Sequence, residues 1–183
     1  MTTLSGISKT FELTARWYVF GMIWLYGWAK IFGGQFYRHG HLPETLANKP
    51  VADLSAFELA WTFFGYSGAY IACIGLAQII GGLLLLWERT KLLGVAILIP
   101  ILANIILVDA IYGVEGAIIS AIIYFALLLG ILFLNRAKVV AAFQALTLRP
   151  RTILPKPQPK ILQVLTVFGF LVVLFFLETV LIH

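Results

Sequence analysis

The chain has 183 residues, 61% of them hydrophobic and 14% aromatic, with only 11% charged and a mean hydropathy of +0.98. Soluble domains carry about 45–50% apolar and about 25% charged residues, which excludes a water-soluble globule and predicts a membrane protein. The single cysteine, Cys73, excludes an internal disulfide and any CxxC redox pair.

Five windows meet the length of about 20 apolar residues that a membrane span requires: Leu13–Phe32, Ala69–Trp87, Leu92–Ile111, Ala117–Leu134 and Ile161–Ile182. The first twelve residues are polar and no small-residue cleavage site follows the first window, so that window is expected to stay in the product. It closes on YGWAKIFGGQFY (Tyr26–Tyr37), where Lys30, two glycines, Gln35 and a set of aromatics crowd together. Lys30 can snorkel to headgroups or pair with a buried acid.

The next connection, Gly33–Gly68, is the longest loop. Ser55 and Glu58 fit a capping box, and Leu54, Phe57, Trp61 and Phe64 recur at helical spacing. A short amphipathic helix is expected here, lying on the membrane surface or serving as a lid over a cavity. His39 and His41, with Glu44 nearby, form a sparse divalent-metal candidate; solvated loop histidines explain them as simply. Haem would want histidines inside spans, where there are none, so no haem is expected.

In the second window Gln78 sits at mid-depth, flanked by Gly75 and Gly82. The pattern suits either a helix–helix hydrogen bond or a groove where a ligand meets the amide. ERTK (Glu88–Lys91) is a tight charged turn, so the helices it joins are antiparallel neighbours. The third window carries Pro100, expected to bend the helix, then Asn104, a candidate partner for Gln78, and Asp109. Asn104 and Asp109 lie ~140° apart around a helix, which argues against one shared ligand. Intramembrane carboxylates call for a partner, and Lys30 is the natural one. YGVEG turns the chain into the fourth window.

The segment 135–160 holds six Lys/Arg and no acid, and ends in PKPQPK, which cannot be regular helix. It reads as a basic cytoplasmic linker to a fifth transmembrane helix, 161–183. Anchoring on anionic headgroups accounts for its charge, and no nucleic-acid partner is expected. With five spans, Lys9, Arg16, Arg89, Lys91, Arg136, Lys138, Arg149, Arg151, Lys156 and Lys160 share one side, against Lys30, Arg38 and Lys49 on the other. The positive-inside rule then makes the N-terminus cytoplasmic and the C-terminus external.

RWYVFGMIWLYGWAKIFGGQF (Arg16–Phe36) resembles the first span of DoxX-like membrane proteins, and WTFFGYSGAYIACIGLAQIIGGLLLLWERTKLLG (Trp61–Gly94) resembles their second. Asn104 and IYGVEG continue the likeness, which covers about Arg16–Asn135. It implies an all-α membrane protein: a four-helix transmembrane bundle over 1–134, to which this chain adds a fifth helix. It also implies kinship with DoxD-type subunits of thiosulfate:quinone oxidoreductase in a bacterial inner membrane. Two departures stand out. Gln78 occupies a position often held by glutamate, and Gly113 follows Tyr112 where aspartate is common.

The expected function is therefore a redox-linked membrane subunit that binds a quinone or another lipid and works with another membrane subunit or redox partner. The ligand-binding candidates are Arg16, Lys30, Gln35, Gln78, Asn104 and Asp109. No self-contained catalytic motif is visible. A non-catalytic assembly subunit is the alternative, and a small-solute transporter, which would need a polar path, is a third.

Overall fold

A computed structural model describes residues 2–147, together with 161, 164, 165, 167–173 and 176. Its elements are α1 (Thr2–Ile31), α2 (Glu44–Ala47), a 3-10 turn (Val51–Asp53), α3 (Ala56–Gly65), α4 (Gly68–Leu86), α5 (Lys91–Ile111), α6 (Glu115–Leu134) and α7 (Arg136–Thr147); no strand occurs among the described residues. Gly68–Leu86, Lys91–Ile111 and Gly116–Leu134 are long and apolar enough to cross a membrane. The protein is an all-helical membrane protein.

The chain divides into two units, Met1–Ala141 and Ala142–His183. In the first, α1 packs on α4 and α6, and α5 packs on α4 and α6, so four helices close a ring. Short connections enforce the antiparallel order. At ERTK, Thr90 Oγ1 donates to the Leu84 carbonyl over 2.9 Å and closes the end of α4. Between α5 and α6 the chain reverses at Gly113, whose φ of +71° suits glycine.

Two glycine contacts set how closely the helices approach. A Cβ on Gly75 would lie 2.9 Å from the Gly27 carbonyl oxygen of α1, and one on Gly94 would lie 2.6 Å from that of Gly81. Small residues at such crossings let backbones meet where lipid supplies no hydrophobic drive. Gly75 thus seats α1 on α4, while a Cβ on Gly82 would make only ordinary contacts, at 3.5 Å or more.

One half of the ring is solidly packed. Val19, Leu85, Val95, Leu98, Leu128 and Ile131 belong to its core. Below them, at the end where α4 stops and α5 starts, an ionic network ties the helices together; we call this end the base. Arg16 is buried there and donates to the Leu85 carbonyl (2.5 Å) and the Leu86 carbonyl (2.6 Å), the negative end of the α4 dipole. It also bonds Glu88 Oε2 at 3.1 Å. Lys91, 3% exposed, is held by Glu12 and by Glu88 Oε1, the latter at 2.7 Å. Asn135 Nδ2 reaches Glu12 at 3.2 Å. Lys91 foremost, with Lys138, holds the Glu88 carboxyl below its ordinary range.

The expected spans two to four match α4, α5 and α6 within about two residues at each end. The stretch expected as a linker begins instead with helix: α7 covers Arg136–Thr147, a run without proline or glycine that nothing prevents from coiling. In the second unit the described residues are helical and exposed. PKPQPK and much of Ile161–Ile182 lie outside the described residues.

Candidate ligand cavity

Opposite the base, the ring encloses a cavity of about 380 Å³. Helical periodicity explains who lines it. From α4 come Tyr70, Cys73, Ile74, Ala77 and Gln78, and from α6 come Ala117, Ser120, Ala121 and Tyr124. Both sets follow i, i+3, i+4, i+7 spacing, one face of each helix. On α1, Tyr26 and Lys30 line it one turn apart.

The loop after α1 turns inward. Gly33, with φ +90°, ends the helix, and Gly34 N–H donates to the Ala29 carbonyl at 2.9 Å. Arg38 Nη2 donates to the last carbonyls of α1, those of Lys30 and Ile31. This geometry delivers Gln35 and Phe36 to the cavity. The α3 helix begins as expected: Ser55 Oγ accepts from Glu58 N–H at 3.2 Å, and Glu58 Oε2 accepts from Ser55 N–H at 2.7 Å. Its Trp61 and Phe64 line the cavity, so α3 takes the covering position of a lid. The Tyr37 amide donates to the Trp61 carbonyl and the His39 amide to the Gly65 carbonyl, both at 3.3 Å.

The cavity walls are largely aromatic. Phe36 meets Trp61 and Phe64 with ring centroids 5.7 and 5.6 Å apart, and Phe64 stacks on Tyr70 at 6.1 Å. Five of the six candidate residues lie here: Lys30, Gln35, Gln78, Asn104 and Asp109. Arg16 does not; it is a structural cation of the base. No snorkelling occurs at Lys30, which is 4% exposed, with Nζ 5.9 Å from the ring centroids of both Tyr26 and Phe36. Aromatic faces stabilise a cation that has left water. Among the described residues no direct salt bridge joins Lys30 to Asp109, although both face the same space.

Gln78 and Asp109 are buried, at 1% and 6% exposure. Gln78 Oε1, Asp109 Oδ2 and Gln35 Oε1 lack a protein hydrogen-bond partner. The expected bond from Asn104 is exposed at the cavity edge, as are Tyr70, Cys73 and Pro100. The angular separation of Asn104 and Asp109 does not keep them apart, because the cavity wall runs along α5 from Pro100 to Asp109 and takes in more than one face of it.

The loop histidines do something else. His39 packs edge-on against Tyr66, with centroids 4.9 Å apart. Among the described residues no group of three His, Cys, Asp or Glu side chains is placed to hold a metal. Sequence reasoning missed Tyr26, Ser120 and Tyr124. The small residues Ala117, Ser120 and Ala121, one face of an otherwise bulky α6, were the available signal.

A protein of Bacillus subtilis described as uncharacterized protein YwoB is 33% identical over 139 residues, which cover 76% of this chain and 86% of the relative. The chain belongs to the YwoB family. No family model matches it, and no solved structure does. The 86% coverage means that the likeness to YwoB is not confined to a fragment of that relative.

Proposed function

We propose that the protein is a DoxX-like, redox-linked subunit of a bacterial inner-membrane oxidoreductase system, and that its cavity holds the headgroup of a quinone-class lipid. One observation carries this reading: buried groups of both hydrogen-bonding senses, Lys30 against Gln78 and Asp109, face one space walled by aromatic rings. Ligand sites are commonly apolar clefts with a few convergent polar groups, and flat aromatic walls suit a flat ring. In this reading α1, α4, α5 and α6 are four spans, residues 161–183 form a fifth, and the ten-to-three basic asymmetry puts the N-terminus in the cytoplasm.

The test is chemical. Purified protein is extracted and assayed for quinones, and its thermal unfolding is followed with and without added quinone. A co-purifying quinone, or a rise in melting temperature that saturates with ligand, supports the proposal. Failure of both defeats it.

A second reading, a non-catalytic assembly subunit, is favoured by α7. It presents Val140, Phe143 and Leu146 at 52%, 67% and 88% exposure, beside the exposed Arg136 and Lys138. Deleting 155–183 should abolish capture of a membrane partner in that case, and retained capture counts against it.

A further inference from the structure

Hydrogen-bond bookkeeping in the cavity goes beyond the ligand class to its redox state. We infer that the cavity holds a hydroquinone, the hydroxyl-bearing form, in preference to the quinone. This rests on the quinone-class reading above and adds a direction to it.

A quinone offers two carbonyl acceptors and no donor. Lys30 can serve one of them, but no quinone atom can donate to the buried oxygens of Gln78, Gln35 and Asp109, all unpartnered within the protein. Leaving a buried acceptor unmatched carries its full desolvation penalty. An amide can turn over and present its NH₂ instead, so Gln78 and Gln35 adapt to either form. An ionised carboxylate has no such freedom: it only accepts. Asp109, 6% exposed, therefore decides the preference, with Lys30 in the same cavity as its counter-charge. A hydroquinone hydroxyl supplies the donor Asp109 needs, and its oxygens still accept from Lys30.

Size and access agree. A volume of about 380 Å³ lies near the lower end of the roughly 300–1,000 Å³ typical of small-molecule pockets, so it suits a ring headgroup rather than a long tail. Tyr70 and Cys73 of α4, with Pro100 and Asn104 of α5, line the cavity yet are exposed. A tail would leave between these helices. An aminophospholipid also brings donors, but it would set a second cation beside Lys30 and bring a phosphate into an apolar space.

The test compares a short-tailed benzoquinone with its own hydroquinone, measured anaerobically on the full chain in detergent by quenching of tryptophan emission. Affinity for the hydroquinone should be at least about tenfold higher, which raises the midpoint potential of the bound two-electron couple by about 30 mV. Asp109→Asn, whose amide can donate, should bring the two affinities together. Equal affinities in the wild type, or tighter quinone binding, overturn the inference while quinone-class binding stands. Binding of neither form overturns both. A folded Asp109→Asn protein that keeps the preference removes Asp109 from the deciding role.

Discussion

Tyr37 crosses Gly65 backbone to backbone. A Cβ on Gly65 would overlap the Tyr37 carbonyl oxygen and stand 3.0 Å from its amide nitrogen. Glycine is required here by space, since no other residue brings the inward-turning loop so close to the end of α3. This contact holds the cover on the cavity.

Gly65→Val should therefore lower the melting temperature, in line with an overpacking cost of about 1–3 kcal/mol. It should also make Trp61 more accessible to an aqueous quencher. Gly21→Ala, where a Cβ would meet nothing within 4 Å, serves as the neutral control.

Arg16 separates stability from binding. Arg16→Ala leaves two helix-terminal carbonyls and Glu88 without their cation, and breaking a buried pair from one side costs about 3–5 kcal/mol. Arg16→Lys should recover only part of this, because an ammonium cannot reproduce the guanidinium fork. Both variants should keep ligand affinity per folded molecule, since Arg16 lies at the base. A specific loss of affinity in well-folded Arg16→Lys would return this residue to the binding site.

Lys30 and Asp109 should behave as a coupled pair. Lys30→Met strands a buried carboxylate and should destabilise the protein. Lys30→Met/Asp109→Asn should be the more stable of the two, with a coupling of about 0.5–3 kcal/mol in a double-mutant cycle of unfolding measurements. Additive effects would show that the two charges do not sense each other across the cavity.

Acid should loosen the cover before the ring. The hydrogen bond from Lys49, followed by that from the Ser55 amide, lowers the Glu58 pKa from 4.5 to about 2. A carboxylate with a depressed folded pKa stabilises fully above its unfolded pKa, and that contribution fades as pH falls toward the folded value. Amide exchange in α3 should accelerate between about pH 4.5 and 2, and Glu58→Gln should flatten this response. Ser55→Ala should speed exchange at neutral pH as well, because losing such a cap costs about 1 kcal/mol.

Helix positions and the cap of α3 were legible because hydropathy and capping are local properties. Most of the site was legible too, since a polar side chain inside an apolar run is conspicuous in one dimension. What could not be read was which way each one turns. Lys30 stands one residue from the end of α1, where periodicity cannot separate a side chain bound for headgroups from one drawn inward by Tyr26 and Phe36. Arg16 looked like a ligand-binding residue because its partners, Leu85, Leu86 and Glu88, lie about 70 positions away. Tyr124 escaped because an aromatic in an apolar helix is unremarkable until its neighbours are known.

The rim over the cavity holds three basic residues, and the fold occupies each of them. Lys30 is buried, Arg38 donates to the end of α1, and Lys49 is paired with Glu58 at 2.8 Å. At the base, Lys9, Arg89, Arg136 and Lys138 are exposed. The folded molecule is thus electrostatically quiet at its covered end and positive at the other. An acidic partner approaching by long-range attraction has only the base to steer toward, leaving the covered end to ligands that arrive by way of the lipid.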